Sequence, residues 1–352
     1  EISTVGFNGL QENFAATVKL YEDLLANCQP DENALAALKA RLKKARENAK
    51  LNKTVLAQAL VSYAQYGPSN PFNYTLSDEE LDNLKAQDLV DILHKLNSYK
   101  HIILYYGPQT AAREALALAK LHKTPATFIP YPEKHNFVKD NADHNRVLFA
   151  NYDMVQAEIY WVRNEGAYSP EQTPRVDLFN NYFGGGMSTV VFQQIRESKA
   201  LAYSTYAYYI SPVKKEDQNY FIGYIGTQAD KLNESIKSMN ELLTNLPRSD
   251  KSLMDAKENI RKSIETGRIT QDGILFNYLE AQRLGLNYDI RKTTLNSLDK
   301  MNFETVKEFH DQQLKGKPFT YCIVASDKRV NDDDLKKYGE LIKPDLKQLF
   351  GY

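Results

Sequence analysis

The chain has 352 residues, of which 42% are hydrophobic and 25% are charged, and this ordinary globular composition excludes extensive disorder. The formal net charge of −1 excludes an overall basic field of the kind that attracts nucleic acid or an anionic membrane surface. No apolar run approaches the roughly 20 residues of a membrane-spanning helix. We therefore expect neither nucleic acid nor a membrane as a partner.

The first part of the chain, residues 1–125, has the pattern of an incomplete α+β domain. Leu10, Phe14 and Val18 recur at helical spacing, and Asp31 and Ser77 are suitable N-caps for later helices. Residues 126–145, which contain prolines and a run of polar residues, are predicted to be a linker. In chain order, the pattern predicts a strand at 1–7, helices over 10–25, after 31, over 55–61 and after 77, and a strand at 101–106.

The second part, residues 146–352, is long enough to form a complete domain with its own core. In chain order, the pattern predicts strands at 146–150 and 154–162, a glycine-bearing helical region, strands at 203–211 and 219–227, helices over 230–246, 250–267, 273–286 and 302–314, and a strand at 319–325. Cys28 and Cys322 are too far apart in sequence for a metal-binding motif, and Cys322 is predicted to be a buried, inert thiol.

The same order of elements occurs twice along the chain. Gly6 and Gly226 each precede a helix, Ile103 and Ile323 each lie in a predicted strand, and both pairs are 220 residues apart. The predicted fold is therefore α+β, with two homologous domains of antiparallel sheet and helices packed on one face. The first copy lacks the front half of the second, so we expect it to be truncated at its N-terminus. The alternative is a genuinely small first domain.

The stretch from Phe179 to Tyr203 carries the candidate chemistry. An apolar helix meets three glycines at 184–186, a second helix carries Arg196 near its end, and Tyr203 opens a strand. A guanidinium with five fixed donors and a phenol donor on rigid supports suit the binding of a carbonyl or carboxylate oxygen.

Three other interpretations of this stretch stay open from the residues alone. Arg196 can be an arginine favoured by the helix dipole, and Tyr203 an aromatic packed on a core. The glycines can hold a phosphate at a helix N-terminus, but the lysine and following Ser or Thr of a P-loop are missing. A turn that needs close packing is the simpler role for the glycines.

The run from Tyr182 through the glycines, Arg196 and Tyr203 resembles a signature of the insulinase/pitrilysin family of zinc metallopeptidases. The resemblance implies a chamber made of two halves, each a pair of α+β domains. One half carries the inverted zinc motif His-x-x-Glu-His, and the other contributes an arginine and a tyrosine that bind substrate near the scissile bond. Arg196 and Tyr203 match those positions.

The chain departs from the family's metal site in two ways. Its six histidines never form His-x-x-Glu-His, and Lys44 or Ala45 stands where the resemblance would place a glutamate ligand. A protonated lysine and an alanine cannot ligate zinc. The resemblance therefore implies the C-terminal, noncatalytic half, with no metal bound by this segment and Zn²⁺ in the partner half.

The resemblance implies one half of a zinc-dependent metalloendopeptidase that cleaves peptides or unfolded chains and is inactive alone. Its partner is expected to be an N-terminal catalytic half of the same chain or a separate His-x-x-Glu-His subunit. Arg196 and Tyr203 are the predicted catalytic contacts, while Tyr206, Tyr208, Gly185 and Gly186 are predicted to bind substrate, with the strand at 203–211 offering an edge to an extended peptide. The alternative is a catalytically silent scaffold subunit that retains the fold.

Overall fold

The structure is a computed structural model that describes residues 3–352 of the chain. Its packing divides the chain into two compact units. The described part of the first unit comprises residues 3–46, 76–136 and 270–277, and the second comprises residues 47–75, 137–269 and 278–352.

Fourteen α-helices and six strands are formed in residues 3–352. The helices are α1 (Phe14–Asn27), α2 (Glu32–Lys50), α3 (Lys53–Tyr66), α4 (Asp78–Asn83), α5 (Ala86–His94), α6 (Ala111–Leu121), α7 (Thr173–Phe179), α8 (Leu232–Thr244), α9 (Asp250–Thr266), α10 (Gly273–Arg283), α11 (Ile290–Ser297), α12 (Phe303–Gln313), α13 (Asp332–Lys336) and α14 (Leu346–Phe350). The strands are β1 (Arg146–Asn151), β2 (Gln156–Ala167), β3 (Ser204–Ile210), β4 (Gln218–Gln228), β5 (Thr320–Ala325) and β6 (Glu340–Ile342). None of the described helices is both long enough and apolar enough to cross a membrane.

All six strands form one sheet in the second unit, in the order β3-β4-β2-β5-β1-β6. Neighbours from β3 to β5 are antiparallel, whereas β1 is parallel to both β5 and β6. Because β5 lies between β1 and β2, which run in opposite directions, it must be parallel to one of them. The α+β prediction is confirmed, and the sheet is mixed where a purely antiparallel one was predicted.

Helices cover both faces of this sheet, whereas the prediction placed them on one. One face packs on the larger core, which includes Trp161, Phe179 and Phe221. On the other face, α3 and α14 pack against β1, β2 and β5 in a second core that includes Leu60 and Cys322. All six residues of β5 are buried, because both of its faces are covered, and this explains the uniformly apolar sequence of that strand.

Cys322 is fully buried in that second core, as predicted, with its thiol directed to the carbonyl of Leu60. Burial raises the pKa of the Cys322 thiol, so the group stays protonated and unreactive near neutral pH.

The first unit has irregular chain, rather than strands, at the described residues where strands were predicted. Glu1 and Ile2 lie outside the described residues, and neither 3–7 nor 101–106 forms a strand. The only bridge between β-type residues in the described part of this unit is an isolated one, Tyr99 with Ile129. A strand needs a partner for its backbone groups, and the described part of this unit supplies none beyond that bridge. The homology of the two regions and the linker at 126–145 stay predictions.

Candidate functional site

The glycine-bearing stretch runs from α7 to β3 through two wide helical turns. Asn180–Gly184 and Phe192–Ser198 are both π-helical, a geometry that is rare and often found at functional sites. Phe183 and Ile195 are fully buried and anchor the two turns in the larger core. The segment is therefore held rigidly, and its polar residues are positioned by the apolar ones between them.

Two of the three glycines allow this segment to lie directly against β3. A Cβ on Gly184 would be 2.2 Å from the carbonyl oxygen of Ala207, and a Cβ on Gly185 would be 1.4 Å from the hydroxyl of Tyr208. A Cβ on Gly186 would meet nothing closer than 3.7 Å. Close packing of backbone on strand thus accounts for Gly184 and Gly185.

The same segment covers the outer edge of β3, which is the edge strand of the sheet. The Asn180 side chain donates to the carbonyl of Tyr209 at 2.9 Å and accepts from the backbone N–H of Tyr209 at 2.8 Å. Gly184 lies against the carbonyl of Ala207. These backbone groups are already engaged, so a peptide cannot pair with this part of β3, in contrast to the predicted open edge.

Arg196 and Tyr203 lie on either side of the short turn that joins the second π-helical turn to β3. The side chain of Arg196 is 45% exposed, and its guanidinium lies 5.0 Å from the centre of the Phe192 ring. Tyr203 is 53% exposed, and its hydroxyl accepts a hydrogen bond of 2.8 Å from the Gln228 side chain. Within residues 3–352 the two side chains form no hydrogen bond with each other. Nε of Arg196 lies 4.0 Å from Oε1 of Glu197, beyond hydrogen-bond distance, and the Tyr203 hydroxyl, which accepts from Gln228, has its own proton left to donate.

Tyr206 and Tyr208 begin a row of tyrosines, the tyrosine row, on one face of β3, β4 and β2. The ring centroids of Tyr208 and Tyr206 are 5.6 Å apart, those of Tyr206 and Tyr224 are 4.9 Å apart, and those of Tyr224 and Tyr160 are 4.8 Å apart. Burial raises the pKa of Tyr206, Tyr224 and Tyr160, so their phenols stay protonated at neutral pH. The partly exposed rings of Tyr206 and Tyr208 give a surface that is apolar in its body and can donate hydrogen bonds at its tips, whereas Tyr160 packs against the second core.

A buried carboxylate accepts a hydrogen bond from the tyrosine row at Tyr224. The hydroxyl of Tyr224 donates to Glu158, and the ammonium of Lys53, at the start of α3, bonds to the other oxygen of Glu158 at 2.5 Å. Tyr160, Tyr224 and Glu158 were not among the predicted site residues. Alternation along β4, where Tyr220, Ile222 and Tyr224 share a face, was the signal that would have found Tyr224.

A polar cavity of about 260 Å³ lies elsewhere in the second unit, at the far end of β2. Its wall includes Asp140, Asn164 and Glu165, and neither Arg196 nor Tyr203 lines it. Burial raises the pKa of Glu165 to about 7, even though the guanidinium of Arg163, 2.9 Å away, lowers it.

The described residues do not fit a catalytic zinc site. Within residues 3–352, no group of three or more His, Cys, Asp or Glu side chains could hold a metal ion. Lys44 and Ala45 both lie in α2, where the resemblance would require a glutamate ligand. The fold and the glycine–arginine–tyrosine stretch thus define a domain of the zinc-peptidase type that lacks the family's metal ligands.

Comparison with known proteins agrees with that class. The family model described as the peptidase M16 inactive domain matches residues 83–259, about half of the chain. The chain belongs to this family, and the resemblance drawn from the sequence is confirmed.

Two relatives match this chain over different shares of their own length. It is 22% identical over 340 residues to a Helicobacter pylori protein described as a non-peptidase homolog, YmxG, a match that covers 91% of this chain and 74% of that protein. A Bacillus subtilis protein, described as an uncharacterized zinc protease YmxG, is 38% identical over 90 residues, which are 25% of this chain and 21% of that one.

Two solved structures have the same fold. The peptidase M16 inactive domain from Pseudomonas fluorescens superposes with a TM-score of 0.67 at 16% identity, over 90% of this chain and 76% of that one. Pitrilysin superposes with a TM-score of 0.62 at 10% identity, over 95% of this chain and 36% of its own length. The chain therefore spans about a third of pitrilysin.

Substituting the glycines tests the packing of this stretch. Gly184→Ala places a methyl group against the Ala207 carbonyl and should lower the free energy of unfolding by about 1–3 kcal/mol, the usual cost of overpacking. Gly186→Ala, where the nearest atom is 3.7 Å away, is the matched control and should change it much less. Urea unfolding of both variants measures the difference. Equal losses would contradict the assignment.

Because Glu165 is buried, the free energy of unfolding should depend on pH through its carboxyl group. Its pKa rises from 4.5 to about 7 in the folded state, so its stabilising effect is complete below pH 4.5 and is lost as the pH rises through 7. The loss amounts to about 3 kcal/mol. Glu165→Gln should therefore be more stable than the parent at pH 8 but not at pH 4.5, as measured by urea unfolding. The exposed Glu216→Gln serves as control, and parallel pH profiles for parent and Glu165→Gln would refute the effect.

Proposed function

We propose that this chain is the substrate-binding, zinc-free half of a zinc-dependent endopeptidase that cleaves peptides or unfolded chains between two halves. The observation that carries the proposal is the pair Arg196 and Tyr203, both about half exposed and both supported by buried, rigid elements. Half-exposed donors on rigid supports can bind a ligand at a low cost in conformational entropy.

The chain's own contribution is to bind the peptide and stabilise charge. Zinc, when held by the catalytic half, activates the water that attacks the scissile carbonyl. Tyr203 donates its phenol proton in a hydrogen bond to the oxygen on which negative charge develops. Arg196 binds the peptide backbone through its fixed fork of donors and so orients the scissile bond. A single donor of this kind is worth about 3 kcal/mol in a site that excludes water.

The tyrosine row extends the proposed binding surface across the sheet. Tyr206 and Tyr208 offer ring faces and hydroxyls to substrate side chains, and this replaces the backbone pairing that Asn180 blocks at the edge of β3. Gly185 packs against the Tyr208 hydroxyl and so supports that surface. Gly186 has room for a Cβ, and its backbone is a candidate contact for substrate.

A second half is required by this proposal. The chain covers 35% of the periplasmic protease PqqL from Escherichia coli and 34% of the ferredoxin protease FusC, whose structure holds an Arabidopsis ferredoxin. These proportions support a partner that bears His-x-x-Glu-His, on the same polypeptide or as a separate subunit, and a peptide or protein substrate.

The competing proposal is a catalytically silent scaffold that retains the fold. It is favoured by one observation, the description of the Helicobacter pylori relative as a non-peptidase homolog. The substrate-binding proposal requires Arg196 and Tyr203 for cleavage, whereas the scaffold proposal does not.

Substitution of these residues in the assembled protein separates the two. With the zinc-bearing half present, Tyr203→Phe removes the hydroxyl alone and should lower kcat/KM for a quenched fluorescent peptide by roughly 10²–10³-fold. Arg196→Ala should lower it by tenfold or more, because a hydrogen bond to a charged group contributes about 1.5–3 kcal/mol. The chain without that half should cleave nothing.

Tyr288→Phe, which removes an exposed hydroxyl elsewhere in the second unit, is the control and should leave cleavage unchanged. Thermal unfolding and gel filtration establish that each variant folds and assembles. Full activity of both Tyr203→Phe and Arg196→Ala would favour the scaffold.

A further inference from the structure

Two histidines of the first unit face each other through the same ring nitrogen. His101 precedes α6 and His122 follows its last residue, and their Nε2 atoms are 2.8 Å apart. The two rings meet nearly at right angles, at 82°. Neither residue belongs to the glycine–arginine–tyrosine stretch, so the proposed peptidase role leaves this pair unexplained.

The outer nitrogen of each ring is held by an acceptor. Nδ1 of His122 lies 2.6 Å from Oε1 of Glu22, a side chain that is only 9% exposed, and Nδ1 of His101 lies 2.7 Å from the carbonyl oxygen of Tyr99. Asn97 also donates to Oε1 of Glu22, at 3.1 Å, so this oxygen acts as an acceptor. Both Nδ1 atoms must therefore carry a proton.

These hydrogen bonds determine whether each Nε2 atom carries a proton or a lone pair. A neutral imidazole has one proton, so with Nδ1–H on both rings each Nε2 presents only a lone pair. Two lone pairs at 2.8 Å repel each other unless a cation lies between them. The cation is either a shared proton, which makes one ring an imidazolium, or a metal ion.

We propose that His101 and His122 bind a divalent transition-metal ion through their Nε2 atoms. A histidine ligand commonly donates its other N–H to a carboxylate or a backbone carbonyl, which fixes its tautomer and orientation. Glu22 does this for His122, and the Tyr99 carbonyl does it for His101. The pair thus has the supporting hydrogen bonds of a metal site on both ligands.

Imidazole ligands favour zinc, copper and nickel over magnesium or calcium. With Zn–N bonds of about 2.0–2.1 Å in tetrahedral geometry, the two Nε2 atoms would stand about 3.3 Å apart, so binding needs a small outward movement of the exposed His101 ring. Water completes the coordination. The proposal departs from the expectation that this segment binds no metal.

Zinc titration of the full chain tests the proposal. Isothermal calorimetry with ZnCl₂ should give one site per chain and a rise in melting temperature, because a ligand of the folded state stabilises it. His101→Ala and His122→Ala should each abolish that site. His94→Ala removes an exposed histidine of the same unit that lacks a histidine partner, and it should leave binding intact. Glu22→Gln should weaken binding by roughly 10–100-fold.

His101 is exposed, so His101→Ala keeps the test decisive if His122→Ala fails to fold. A cobalt titration followed by its visible absorption gives a second readout of nitrogen ligation. Absence of zinc binding to the parent chain would overturn the proposal and assign the pair to a shared proton. Zinc binding that persists in His101→Ala would overturn it as well.

Discussion

The arrangement of the candidate site depends on the close approach of Gly184 to the carbonyl of Ala207. Only a residue without a Cβ lets the wide turn after α7 lie flat against β3. That approach places Asn180 beside Tyr209, leads the chain into the turn that carries Arg196, and brings it back to Tyr203 at the start of β3. A rigid glycine contact thus sets the positions of residues that never touch it.

Because the edge of β3 is covered, the proposed substrate binding cannot use backbone pairing at that edge. Edge strands are open to pairing with other chains, and proteins commonly protect them. Here a side-chain amide takes the place of the next strand, and the surface left for a ligand is the tyrosine row on the sheet face. Under the proposed function, binding through side chains would suit peptides of varied sequence, because aromatic faces adapt to many partners.

Sequence patterns predicted the second unit well and the first unit less well. The apolar run of β5, the helix before the glycines and the exposed Arg196 and Tyr203 all follow from local residues and spacing. The place of β5 between β1 and β2 does not, because strand order depends on contacts distant in sequence. The residues at 101–106 had the composition of a strand, but a strand also needs a neighbour, and composition carries no information about one.

The position of β5 also bears on how the second unit is made. Its middle strand is contributed by residues 320–325, long after β1 and β2 have left the ribosome. Until then β1 has no strand partner, because its neighbours are β5 and β6, whereas β2 already pairs with β4 and has only its other edge open. Synthesis therefore passes through an interval in which β1 and one edge of β2 are open to wrong pairing.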